Sequence, residues 1–194
     1  MLTESQIQQF INLGYVKLEN VFSKELAAEG REILWKDTGC DPDNSATWTK
    51  PVIRLGDYPQ EPFRKAVNMP VLYEAFDQLV GKGRWQRRYS LGTFPVRFPS
   101  DQDPGDAGWH ADAGFYGADG SMRLNVHSQG RALLMLFLFS DTGDSDAPTR
   151  ILEGSHLDVP ALLQPHGDEG LNFIELAQRL TSATMQRPLV YATG

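Results

Sequence analysis

Eight consecutive apolar residues, Ala132-Leu133-Leu134-Met135-Leu136-Phe137-Leu138-Phe139, constrain the fold of this chain more than any other feature. The run is far too short to span a bilayer. As a β-strand it is apolar on both faces, so it is expected at the centre of a sheet with cover on each side. Short β-prone segments surround it at 85–91, 93–98, 108–112, 122–127, 131–139, 149–152 and 189–192, separated by Gly, Pro, Asp and Ser clusters. Many short strands with such turns predict a sandwich or barrel.

The first 81 residues follow a different period. Thr3 and Gln6 form a capping box, Ile7, Phe10 and Ile11 an apolar stripe, and Gly14 the stop of a short opening helix. Residues 15–21 alternate as a strand does, and Ser23 caps a second helix with Leu26, Ile33 and Leu34 on its buried side. The stretch 39–62 has no periodicity and reads as a long loop with one short strand near 52–55. A third helix is predicted over 71–80, with Leu72, Ala75, Phe76 and Leu79 on one face and Gly81 ending it. Two more helices interrupt the β region. One starts near Asp158 with Pro160 in its first turn, and the other covers 172–180 with Ile174, Leu176, Ala177 and Leu180 apolar. The expected architecture is one domain over 1–194, mainly β with flanking helices: a helical part over about 1–81 and a β-core over about 84–194.

The chain has 194 residues, and 18 Lys and Arg against 25 Asp and Glu give a formal charge of −7. That balance opposes attraction to nucleic acid or to an anionic membrane, which leaves a small molecule as the expected partner. Cys40 is the only cysteine, so no intrachain disulfide forms and a cysteine-based metal site is not expected. The opening residues lack the basic and apolar regions of a secretory signal, and a cytoplasmic protein is expected.

The chemistry centres on His110-Ala111-Asp112. On an extended strand, residues two apart point to the same side, so an imidazole and a carboxylate can cap one face of a metal ion while Ala111 points away. Adding a second histidine from elsewhere gives the facial triad that leaves half an Fe(II) coordination sphere open. Only His127, His156 and His166 are available for that role. His127 ends a strand and reads as a turn residue, and His166 lies in a loop. His156 follows a strand and a Gly-Ser turn, where it either bonds the turn or serves as a fallback ligand.

Several groups around the pair have simpler readings beside functional ones. Lys82, Arg84, Arg87, Arg88 and Arg97 suit a carboxylate or phosphate, but also a solvated strand face. Arg150 suits an anion or a local ion pair. Trp109, Phe115 and Tyr116 suit a pocket wall or ordinary packing. No Gly-rich phosphate loop or nucleophile elbow is present.

The opening helix with Gly14-Tyr15-Val16, the His110-x-Asp112 pair, the apolar strand, and the later Ala147-Pro148-Thr149-Arg150-Ile151-Leu152-Glu153-Gly154-Ser155-His156 occur in an order that resembles the phytanoyl-CoA dioxygenase family. The resemblance implies a double-stranded β-helix, a jelly-roll, cupin-like core with helices packed on one side. It implies an Fe(II) centre with His110 and Asp112 as two of its ligands. 2-Oxoglutarate and O2 would be the co-substrates, yielding succinate and CO2 as an unactivated C–H bond of a small metabolite is hydroxylated. Related halogenating enzymes carry a small residue in place of the carboxylate, so Asp112 favours hydroxylation. In that family the third ligand, a histidine, and the arginine for 2-oxoglutarate lie beyond the Gly-Ser-His turn. Their strands would begin near Gly194, so a site truncated at its C-terminal side, and without activity in this form, is expected. The competing expectation is a jelly-roll binding or scaffold protein without metal-dependent activity.

Overall fold

The helices begin and end where side chains and glycines satisfy their backbone. The structure, a computed structural model, describes residues 1–130, 133–184 and 186–194. In α1 (Glu4–Leu13) the Thr3 hydroxyl accepts from the Gln6 N–H, the Gln6 side chain accepts from the Thr3 N–H, and Gly14 ends the helix at φ 85°. Ser23 caps α2 (Lys24–Thr38) by accepting from the Leu26 N–H, and left-handed Gly39 stops it. A proline occupies the first turn of both α3 (Glu61–Val67) and α4 (Pro70–Val80). The expected ends of the first helix, the start of the second and the span 71–80 agree with these, whereas α3 falls where the sequence predicts no helix. Its seven residues give less than two turns, too few for a helical period to show.

α2 and α3 supply most of the larger core. Phe63 is fully buried, with its ring centroid 5.1 Å from Tyr58, 5.1 Å from Phe94 and 5.4 Å from Phe139. Ala27, Leu34, Ala66, Val67 and Leu91 complete the cluster. Gly30 on α2 admits the Phe139 ring, since a Cβ there would lie 2.8 Å from it. The strands β1 (Val52–Leu55) and β2 (Phe94–Arg97) pair antiparallel along the edge of this core. The Tyr58 hydroxyl donates to Asp37 at 2.9 Å. Burial, with Asp37 beside it, pushes the Tyr58 pKa up to about 12.

Beyond residue 98 every strand has only two or three residues: β3 (Phe115–Tyr116), β4 (Met122–Leu124), β5 (Arg150–Leu152), β6 (Leu171–Asn172) and β7 (Leu189–Tyr191), with the helices α5 (Val159–Leu163) and α6 (Phe173–Thr184) among them. β3, β4 and β6 form a three-stranded sheet in that order, and β5 pairs with β7. Leu163, Leu171, Leu176 and Leu180 make a second, smaller core. Both late helices lie where the sequence places them. No helix among the described residues is long and apolar enough to cross a membrane.

The expected mainly β fold with a double-stranded β-helix core is not what forms. The chain is 35% helical and 12% strand, its sheets hold two or three strands, and no jelly-roll barrel closes among the described residues. The apolar segment shows why. Arg131 and Ala132, which begin the predicted strand, lie outside the described residues. From there burial alternates: Leu133, Met135 and Phe137 are half-buried and Phe139 is buried, while Leu134, Leu136 and Leu138 are 61%, 46% and 37% exposed. The segment thus has the period of a strand, yet among the described residues it joins no ladder. Covered on one face only, it is not the central strand that its composition suggested. A uniformly apolar segment sets no alternation of burial by itself; here cover on one face sets it, and a ladder would need a second segment in register. Residues 15–21 and 108–112 likewise join no ladder, and 85–91 contributes the single bridge Tyr58–Leu91.

Candidate functional site

An open cleft of about 2520 Å³ lies between extended segments that join no sheet and the paired strands β5 and β7. Its walls include residues 14–24, 106–112, 133–141 and 147–152 together with 190–194. The exposed Leu134, Leu136 and Leu138 give it an apolar side, and His110 and Asp112 lie on its lining.

The stretch leading to His110 is tethered by charge. Asp106 Oδ2 accepts from Arg97 Nη2 at 2.8 Å and from Arg54 Nη2 at 3.1 Å, which ties the stretch to β2 and β1. Hydrogen bonding from Arg97, with the charges of Arg97 and Arg54, holds the Asp106 carboxyl below its usual range against the opposing effect of burial. Ala111 packs against the second core and, with His110 and Asp112, also lines the cleft. The His110 ring is exposed and lies 5.6 Å from the Phe173 ring at the start of α6. Asp112 is half-buried and already interacts with another group of the chain.

An imidazole and a carboxylate are suitable donors for Fe(II). Their number is not sufficient: among the described residues no group of three or more His, Cys, Asp or Glu comes together to hold a metal. The other histidines are occupied or distant from such a cluster. His156 Nε2 bonds the Ile11 carbonyl at 2.9 Å, and the neighbouring Gly154 N–H donates to the Leu13 carbonyl at 2.8 Å, so the Gly-Ser-His turn docks on the end of α1. Gly14 makes this contact possible, because a Cβ there would lie 2.5 Å from His156 Nδ1. The fallback role of His156 as a ligand has no support in this arrangement, and its turn role does. His127 Nε2 lies 4.0 Å from Asp168 Oδ1 on the exposed surface, and His166 sits in a short 3₁₀ turn.

The remaining candidates divide between the cleft and the outer surface. Trp109, Arg97 and Arg150 line the cleft; Phe115 and Tyr116 do not, and Tyr116 is an exposed residue of β3. Lys82, Arg84, Arg87 and Arg88 lie on an irregular exposed stretch away from it, where Arg87 Nε donates to Asn68 Oδ1 at 2.8 Å. The sequence reading missed the Arg54–Asp106–Arg97 tether, and also the packing of the Arg150 guanidinium 5.0 Å from the centre of the Trp109 ring. Nothing local could have signalled either, because the partners are far apart in the chain.

No protein-family model, no curated protein and no solved structure matches the chain. The resemblance to the phytanoyl-CoA dioxygenase family therefore stands on the quoted motifs alone.

Proposed function

We propose that this chain carries part of the site of an Fe(II)- and 2-oxoglutarate-dependent dioxygenase that hydroxylates a small molecule. One observation supports the reading most directly: His110 and Asp112, two residues apart, both line an open cleft. In this proposal His110 and Asp112 would supply two donors to iron, which with 2-oxoglutarate as two-electron reductant would activate O2, the oxidant. The rest of the cleft receives the small molecule, with Leu134, Leu136 and Leu138 offering it an apolar wall. O2 is the remaining co-substrate.

A second reading, a small-molecule binding protein without metal-dependent activity, is favoured by the count of ligand residues, two where a facial triad needs three. Anaerobic titration with Fe(II) in the presence of 2-oxoglutarate separates the two. The dioxygenase reading expects a weak visible charge-transfer band that His110→Ala removes. Absence of the band, with Fe(II) bound equally by the parent chain and by His110→Ala, would leave the binding protein.

A further inference from the structure

Four arginines line the cleft, and three of them are engaged within the protein. Arg31 donates to the Phe139 carbonyl. Arg54 and Arg97 share the carboxylate of Asp106, so their charge is partly spent within the protein. Arg150, on β5 opposite Tyr191, lies over the Trp109 ring, and among the described residues its side chain makes no hydrogen bond or ion pair. Trp109 is the residue immediately before His110, and both line the same cleft as Arg150. A guanidinium over an aromatic face gains a cation–π attraction and loses part of its hydration, yet keeps N–H donors for a second partner. The planar group that matches those donors two at a time is a carboxylate.

We infer that Arg150, steadied by Trp109, is the anchor for a carboxylate of the small molecule bound in the cleft. The inference takes from the proposed function only that the cleft is the binding site, and needs no metal. Arg150 is thereby a binding residue beside the His110 and Asp112 pair, and the ligands selected are organic acids rather than neutral molecules. Two sources share this chemistry: 2-oxoglutarate itself, and an acid group on the substrate.

The test uses the whole chain, metal-free in EDTA, titrated with 2-oxoglutarate, with butyrate, and with butyramide as an uncharged counterpart. Indole emission is the readout, and Trp109→Phe identifies which part of the signal belongs to Trp109. Both acids are expected to change that emission, with butyramide without effect. Arg150→Gln is expected to weaken acid binding about tenfold, the loss of a charge-assisted pair. Arg150→Lys keeps the charge without the fork and should fall between; it replaces the Gln variant if that one loses its far-ultraviolet circular dichroism. Tighter binding of 2-oxoglutarate than of butyrate assigns the anchor to the co-substrate, and equal binding assigns it to the substrate's own acid group. The inference is overturned if butyramide titrates like butyrate, if a folded Arg150 variant binds as the parent does, or if neither acid changes the emission. Because no iron is present, a missing charge-transfer band in the earlier experiment leaves this result standing, and the reverse also holds.

Discussion

The core around Phe63 and the cleft beside Leu134, Leu136 and Leu138 are built from equally apolar sequence, yet one is closed and the other open. The closed region is made by helices, each of which satisfies most of its backbone within its own length and needs only to bury one stripe. The open region is made of segments with strand periodicity, whose N–H and C=O groups require a neighbouring chain in register. Burial of apolar side chains alone therefore does not complete a sheet. Residues 133–139 meet both conditions on different sides: Phe139 is buried against Phe63, while Leu134 remains 61% exposed.

The contrast can be broken most directly at its centre. Phe63→Ala should cost about 3–5 kcal/mol, as large aromatic truncations in closed cores do, measured by urea denaturation. A loss under about 1 kcal/mol would mean that the helical core is no tighter than the cleft. Leu176→Ala in the second core should cost about 2–4 kcal/mol. Amide exchange then shows whether the two cores act as one: if protection around Phe63 falls as far as protection around Leu176, they form a single cooperative unit.

Tyr58 gives the comparison a dependence on pH. Its folded pKa lies above the ordinary tyrosine value, so the fold favours the neutral phenol. The stability this contributes is full below about pH 10 and is lost as pH rises through about 12. Ultraviolet titration of the phenolates should show Tyr58 ionising last and together with unfolding, beside Tyr15, which its hydrogen bond to Glu153 also holds above the ordinary value, and Tyr58→Phe should remove that last step. A smaller effect belongs to the Ser23 cap, where Ser23→Ala should cost about 1 kcal/mol. The smallest is expected on the open face: Leu134→Lys should shift stability by no more than about 0.5 kcal/mol. A loss near 2 kcal/mol for that variant would show the face to be covered in solution, and the distinction between the regions would disappear.

Much of the helical architecture was legible in the chain. Thr3, Gln6, Gly14, Ser23, Gly39 and Gly81 mark ends that the structure reproduces, because capping is decided among residues three or four apart. Pro160 marked α5, and the apolar spacing of Leu176 and Leu180 marked α6. The short α3 was illegible for lack of turns, and β3 and β6, at two residues each, exist only through their pairing with β4. At the candidate site, His110 and Asp112 were readable as a donor pair from their spacing. The packing of Arg150 on Trp109 and the double arginine contact of Asp106 were not, since each joins residues that only the folded chain brings together.

By itself, then, the sequence determined most helix ends and the presence of an imidazole and a carboxylate two residues apart. These are properties of short stretches, set by hydrogen bonds and side-chain directions within a few residues. The tertiary structure alone decided that the strand-prone segments leave a cleft rather than close a barrel, that His156 binds the end of α1, and that Arg150 faces the same space as His110. Pairing and convergence of distant segments depend on which partners reach each other in register, and no local pattern contains that information.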